Sequence, residues 1–284
     1  MPDAPTSLFS RDGRTLIPTE LVRGPWNHDQ QHGGAVSGAL GFAVTEECRR
    51  AEDADSFILT RLTVEILKPV PAQPLSYRAE TVRHGRRSRV IAAELLAGDT
   101  PVARASSQWA IHQTHDAAGS VLPPMDTRPD PAVPRRPTEP SDPGAADVGY
   151  PRPGFNCDVF ELRCLRGSTE EPGPGTVWVR MLTDLVDGVE DHPVFPLATL
   201  ADLGNAVGWD WSPHGRPMIN PDVTLQLFRY PVDEWVCLQS VARATGAGVG
   251  IMETRLWDGD GQFGLAISTS MESAVPLTIE LPGR

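Results

Sequence analysis

Alternating apolar and polar positions fill two stretches of the chain, each associated with a run of small residues. Residues 33–50 (GGAVSGALGFAVTEECRR) are rich in Gly and Ala, with acids and then cations late in the run, and this predicts a helix ending in positive charge. Residues 57–68, 75–83, 86–96 and 101–112 then alternate at every second position and carry β-branched side chains, which predicts strands. Ala97-Gly98-Asp99 supplies a hairpin turn between the last two. The later stretch has a similar order. Strands are expected over 155–165 and 175–185, a helix over 196–210, and strands over 218–229, 234–245, 248–257 and 262–272. Helices beside antiparallel strands, arranged this way twice, define an α+β layout.

The two stretches match when the second is slid back by 161 residues. Leu62–Lys68 then lies over Val223–Arg229; both alternate, both end in a cation, and both are soon followed by Pro-Val. The same shift sets Gly33–Val44 over Val194–Asn205 and Ala97 over Asp258. Ala79–Arg83 resembles Ser240–Arg243, and Ala103–Ser107 resembles Ala266–Ser270. The chain is therefore a duplication. Ten prolines fall between Pro123 and Pro153, a density that neither helix nor central strand survives, so this segment is a linker over the surface. The expected organisation is an N-terminal unit over 1–118, a linker over 119–154 and a C-terminal unit over 155–284.

Composition narrows the functional classes. Lys and Arg number 25 against 37 Asp and Glu, a net charge of −12, which argues against a nucleic-acid surface and against attachment to anionic membranes. No run of about 18 apolar residues exists to span a bilayer. The first residues, MPDAPTSLFSRDGR, lack the basic-then-apolar layout of a secretory signal. Cys48, Cys157, Cys164 and Cys237 have no C-x-x-C spacing, and the histidines form no H-E-x-x-H pattern. A cytoplasmic protein with reduced thiols and no metal site is expected.

The most informative segment is Arg23-Gly-Pro-Trp-Asn-His-Asp-Gln-Gln-His32-Gly33-Gly34. His-Gly-Gly at a helix start leaves backbone N–H groups unpaired, and glycine lets a ligand oxygen approach them closely. With the R-L-T-V-E-I-L-K-P-V strand and the R-H-G-R-R turn, the chain resembles the hotdog-fold acyl-CoA thioesterases. More specifically it is similar to the double hotdog of the bacterial acyl-CoA thioesterase II type, over nearly all of its length except the linker. The resemblance implies two tandem hotdog folds in one chain, each a helix wrapped by an antiparallel sheet. It implies hydrolysis of acyl-CoA to free acid and coenzyme A, with no cofactor. One chain already supplies the pairing that single hotdogs obtain by dimerising, so a monomer suffices, and a homo-oligomer joined through sheet edges stays open.

The internal alignment adds an asymmetry. The shift sets His32-Gly33-Gly34 opposite Pro193-Val194-Phe195 and Gly41 opposite Asp202. Hotdog thioesterases share a site between a helix N-terminus, which binds the thioester carbonyl, and a carboxylate on the partner helix. Complementary loss predicts one intact site, joining Gly33 and Gly34 to Asp202, and one dead site, at which Gly41→Ala is nearly silent. Asp202 lies in the otherwise apolar segment LATLADLGNAVGW, where it is either a desolvated carboxylate suited to activating water or attacking directly, or a solvent-facing helix acid or local cap.

Other positions carry weaker expectations. The resemblance implies a hydroxyl residue on the strand after the second helix, near Asn220, Asp222 or Thr224, and a Gln near Met271; Gln108 is the matching position of the first half. Thr224 faces Thr63 in the alignment, which also suits a strand role. His32 either bonds the thioester region or braces its loop. Asn27 either reaches the pocket or starts the turn before the helix. Arg83, His84, Arg86, Arg87 and Arg89 form a basic cluster that either recognises the coenzyme A phosphates, with Arg83 and Arg86 foremost, or is a solvated turn. Met271 favours a second reading, a non-catalytic acyl-CoA or lipid-binding double hotdog. A third, a hotdog dehydratase or hydratase, wants a His–Asp pair in one half, and His192 lies far upstream of Asp202.

Overall fold

The computed structural model describes residues 5–24, 27–112, 133–139, 153–167, 173–208, 218–244 and 247–273. The first half contributes β1 (Ser7–Asp12), β2 (Thr15–Pro18), α1 (Gly33–Cys48), β3 (Phe57–Ile66), β4 (Leu75–His84), β5 (Ser88–Ala97) and β6 (Thr100–Ile111). The second contributes α2 (Phe155–Asp158), β7 (Phe160–Arg166), β8 (Gly175–Met181), β9 (Asp184–Val186), α3 (Val194–Ala201) and α4 (Gly204–Val207). It continues with β10 (Met218–Ile219), β11 (Asp222–Leu227), β12 (Val236–Ala244), β13 (Val249–Asp258) and β14 (Gly261–Glu272).

Two expectations are corrected, and one hairpin is added. The strand foreseen over 155–165 opens instead with the helical turn α2, because the Asp158 carboxylate accepts the Gly154 N–H (2.9 Å) and buries Phe155. The helix foreseen over 196–210 is two pieces, α3 and α4, separated by a tighter turn in which the Leu203 N–H reaches back only to Leu200 O (3.0 Å). Residues 209 and 210 lie outside the described residues. The hairpin of β1 and β2 was not foreseen, although Asp12-Gly13 marks its turn and Gly13 takes φ +56° there.

The strands among the described residues belong to one sheet, ordered β7-β8-β12-β13-β14-β11-β3-β6-β5-β4-β2-β1-β9, with β10 beside β14. Only Leu182 and Thr183 separate β8, near one end of this order, from β9 at the other. The sheet therefore curls until its ends meet. The seam between halves is the antiparallel pair β3–β11, with Thr63 opposite Thr224, Leu62 opposite Leu225 and Val64 opposite Val223. Thr63 and Thr224 are repeat equivalents facing each other, so the pseudo-twofold axis passes between them.

The 161-residue shift holds across the sheet. Ala79, Ala93 and Ala105 stand side by side in the first half, and Ser240, Thr254 and Ala266 in the second. The pairing of Ala103–Ser107 with Ala266–Ser270 is thereby corrected: it is two residues out of step. Gln108 corresponds to Thr269, Trp109 to Ser270, and Ala110 to Met271.

The helices α1, α3 and α4 pack against the sheet. Every residue of α1 from Gly34 to Thr45 is buried, as befits a helix of small and apolar residues packed on all sides. It packs on β3–β6 and, antiparallel, on α3: Gly33 meets Asp202 at one end, and Gly41 meets Ala198 and Val194 at the other. On the outside of the second half, Trp178, Trp235 and Trp257 cluster with Cys237. Linker residues 133–139 lie over this cluster, with the Trp178 Nε1–H donating to Pro134 O (3.0 Å) and the Arg136 guanidinium 4.9 Å from the Trp235 ring centre.

Candidate active site

The start of α1 meets the end of α3 at the point where the halves touch. The chain enters α1 through His32, whose N–H donates to Val22 O (2.7 Å). Its Nδ1 accepts the Gly34 N–H at 2.9 Å, capping the helix. Gly34 is thus already engaged, and the Gly33 N–H remains a free donor at the helix end.

Asp202 caps the C-terminal end of α3 and is 6% exposed. Its Oδ2 and Oδ1 lie 2.7 and 2.9 Å from where a Cβ on Gly33 would stand. Only glycine permits this approach. Asp202 Oδ2 is also 3.3 Å from His32 Nδ1, and its Oδ1 accepts a hydrogen bond from Asn220 Nδ2. Burial holds His32 below its usual pKa, with the Asp202 charge opposing, so the imidazole is neutral. Phe155 stacks on that ring at 4.1 Å between centroids. The structure thus gathers His32, Gly33, Gly34, Asp202 and Asn220, and adds Phe155, which sequence reasoning missed.

The remaining candidates are placed elsewhere. Thr224 bonds its repeat mate Thr63 (3.2 Å) on the face of β11 opposite the buried Val223 and Leu225. Asn27 is exposed and spends its Oδ1 on the Asp29 N–H, starting a turn. Arg83 and Arg86 are exposed on the β4–β5 hairpin, which is tied to the far end of α1: Ile111 N–H donates to Arg87 O and His112 N–H to Ser56 O. Gly33 stands at the other end of that 16-residue helix, about 24 Å away. Arg89 leaves the basic cluster altogether; it is 2% exposed, paired with Asp53 and stacked 3.9 Å above Phe57. Met271 sits beside Ile219 and Val249 on the outer face, all three partly exposed, so it does not border Asp202.

The pseudo-twofold creates a second locus, at the start of α3. There Val194 stands for Gly33, Gly41 for Asp202, Leu59 for Asn220 and Trp109 for Ser270. The Val194 N–H is capped by His192 Nδ1 (3.2 Å), and the Trp109 ring centre is 6.3 Å from that of His192. No carboxylate takes the place of Asp202. Burial, with Arg49 nearby, pushes His192 down to about 4. At Gly41, where alanine is expected to leave hydrolysis unchanged, an added Cβ would stand 2.7 Å from Ala198 Cβ, a packing cost the sequence did not reveal.

Among the described residues no cluster of three His, Cys, Asp or Glu side chains is arranged to hold a metal, and no helix is long and apolar enough to cross a membrane.

Comparison with known proteins identifies the family to which this fold belongs. Residues 22–109 match the family model of the acyl-CoA thioesterase N-terminal domain, and residues 127–269 that of the acyl-CoA thioesterase C-terminal domain. The chain belongs to the double hotdog acyl-CoA thioesterase family and is a thioesterase. A search by sequence against curated proteins found no match. Among solved structures, a hot dog fold protein of unknown function from Alicyclobacillus acidocaldarius is 18% identical, with 94% of this chain and 96% of that one covered and a TM-score of 0.66. The tesB protein of Mycobacterium avium subs paratuberculosis is 16% identical, covering 93% and 95%, at 0.62. Acyl-CoA thioesterase II TesB2 from Mycobacterium marinum is 16% identical, covering 85% and 90%, at 0.58. At such identities the likeness speaks for the fold.

Proposed function

We propose that the protein hydrolyses acyl-CoA thioesters at a single site between the start of α1 and the end of α3. The observation that carries this reading is the Asp202 carboxylate lying against Gly33, 2.7 Å from the position of an absent Cβ. The Gly33 N–H takes the thioester carbonyl oxygen, and the helix end stabilises the negative charge that grows there. Asp202 accepts a proton from water as the water oxygen bonds to the carbonyl carbon. The tetrahedral intermediate collapses, the C–S bond breaks, and the proton held by Asp202 passes to the departing coenzyme A sulfur. Asn220 fixes one carboxylate oxygen, leaving the other for the water. His32, neutral and under Phe155, holds the entry to α1 and keeps solvent from that side.

The binding-only reading rests on Met271 near the position where the family carries a Gln; its place beside Ile219 on the outer face weighs against that reading. Release of free thiol from a panel of acyl-CoAs of different chain length tests the proposal. Turnover above background with at least one of them is expected. Binding without turnover across the whole panel would leave a binding protein instead.

A further inference from the structure

We propose that the second half carries a separate binding site for a small organic cation, an ammonium on an apolar body, in the cavity beside the start of α3. The cavity has a volume of about 440 Å³ and lies between the β8–β9 turn, the segment leading into α3 and the loop from β11 to β12. It borders the first turn of α3, whereas Asp202 follows the last, so the site is independent of the hydrolytic reading.

Three observations point to such a ligand. The first is the lining. Leu185, Phe195 and Val236 give it a buried apolar floor, and the exposed Leu182 and Val232 stand at its mouth. Asp184, Asp191, Asp233 and Glu234 line the same space, and among the described residues no lysine or arginine does. Glu234 already pairs with Arg180, which leaves three carboxylates without a cation. His192 adds no charge, because burial pushes its pKa down to about 4. Three full negative charges outweigh the roughly half positive charge at the start of a helix. They are too dispersed for a metal ion: among the described residues no three His, Cys, Asp or Glu side chains are gathered to hold one. An ammonium joined to a hydrocarbon matches both the charge and the floor.

The second observation is an unpaired polar atom. Thr183 Oγ1, on the cavity wall, is buried and has no hydrogen-bond partner. Such a group is destabilising, and an ammonium N–H donated to it satisfies it. The third is the repeat. The 161-residue shift sets Asp29–Gln31 opposite Glu190–His192 and Val70–Ala72 opposite Pro231–Asp233. In the first half these loops are zipped together: the Gln31 N–H donates to Val70 O (2.8 Å), Gln31 Nε2 to Pro71 O (3.0 Å) and the Ala72 N–H to Asp29 O (2.8 Å). Among the described residues no backbone hydrogen bond joins the corresponding loops of the second half, and the cavity lies between them. Asp191, Asp233 and Glu234 stand there where the closed half has Gln30, Ala72 and Gln73.

Isothermal titration calorimetry with n-hexylammonium chloride tests the site, with 1-hexanol as its uncharged counterpart. The wild-type chain should bind hexylammonium with a Kd of about 0.1–1 mM, and hexanol at least about 10-fold more weakly. Asp191→Asn combined with Asp233→Asn keeps the acceptors used by the His192 and Trp235 N–H groups. That double variant should weaken hexylammonium binding about 5- to 25-fold at little changed melting temperature. Thr183→Val, which removes the hydroxyl at nearly constant shape, should weaken it about 3- to 10-fold. Asp202→Asn should bind as the wild type does. Equal affinity for the two probes, unchanged binding in the double variant or in Thr183→Val, or loss of binding in Asp202→Asn would overturn the proposal. So would the absence of binding up to about 10 mM hexylammonium.

Discussion

The two helix starts of this molecule are related by a pseudo-twofold axis, and they differ at each position that matters for the chemistry. At the start of α1 there are a glycine, a facing carboxylate, an amide on that carboxylate and a short hydroxyl. At the start of α3 the same places hold Val194, Gly41, Leu59 and Trp109. The second set is not merely inert; it is packed. Trp109 and Leu59 are buried in the core, Phe195 lies against Phe42, and the Tyr230 hydroxyl, its pKa pushed up to about 12 by burial, accepts the Leu59 N–H at 3.0 Å. One locus thus holds a buried charge and an unpaired hydroxyl, while the other is filled with apolar mass.

The sharpest way to break this comparison is at the carboxylate. Asp202→Asn keeps the shape and the Asn220 contact but removes the proton acceptor, and kcat should fall by about 10²–10⁴ with the melting temperature little changed. An unchanged rate would move the chemistry away from Asp202. Next comes the doorway. Gly33→Ala sets a methyl against both carboxylate oxygens, and kcat/KM should drop by about 10²–10³, measured by thiol release.

At the filled locus the same kinds of change should damage folding and spare the chemistry. Trp109→Ser opens a cavity and should cost about 3–5 kcal/mol in denaturant unfolding, with kcat per folded molecule retained. Gly41→Ala overpacks the α1–α3 contact and should cost about 1–3 kcal/mol, again with activity per folded molecule kept. Loss of turnover in these two variants at retained stability would mean that both loci work. The smallest effect concerns His192. Its pKa is about 4 in the folded protein against an ordinary 6.5, so between these values the unfolded chain binds more protons and stability falls as pH falls. The slope is at most about 1.4 kcal/mol per pH unit, and His192→Phe should flatten it in urea titrations across that window.

Much of this was legible in the chain. The 161-residue shift and the opposition of Gly33 and Asp202 follow from patterns that alternate strictly, because a pleated strand repeats every second residue. The same regularity hid the register of β14. Sliding β14 by two residues leaves inward and outward positions unchanged, so Ala266–Ser270 could be laid on Ala103–Ser107 without any pattern objecting. The slip put Met271 where Gln108 belonged and kept Ser270 away from Trp109. The break between α3 and α4 was hidden for another reason: it depends on Gly204 settling against Thr254 and Met252, a contact between distant segments. Phe155 on His32 is likewise a meeting across the linker that local propensity cannot announce. The Asp12-Gly13 hairpin, by contrast, was written in the sequence and overlooked.

The seam at Thr63 and Thr224 has a last consequence. Because β3 and β11 satisfy each other's backbone, separating the halves would leave each with a raw, sticky margin of unpaired N–H and C=O groups. Either half excised alone is therefore expected to aggregate through that margin, and the intact chain to melt as one cooperative body.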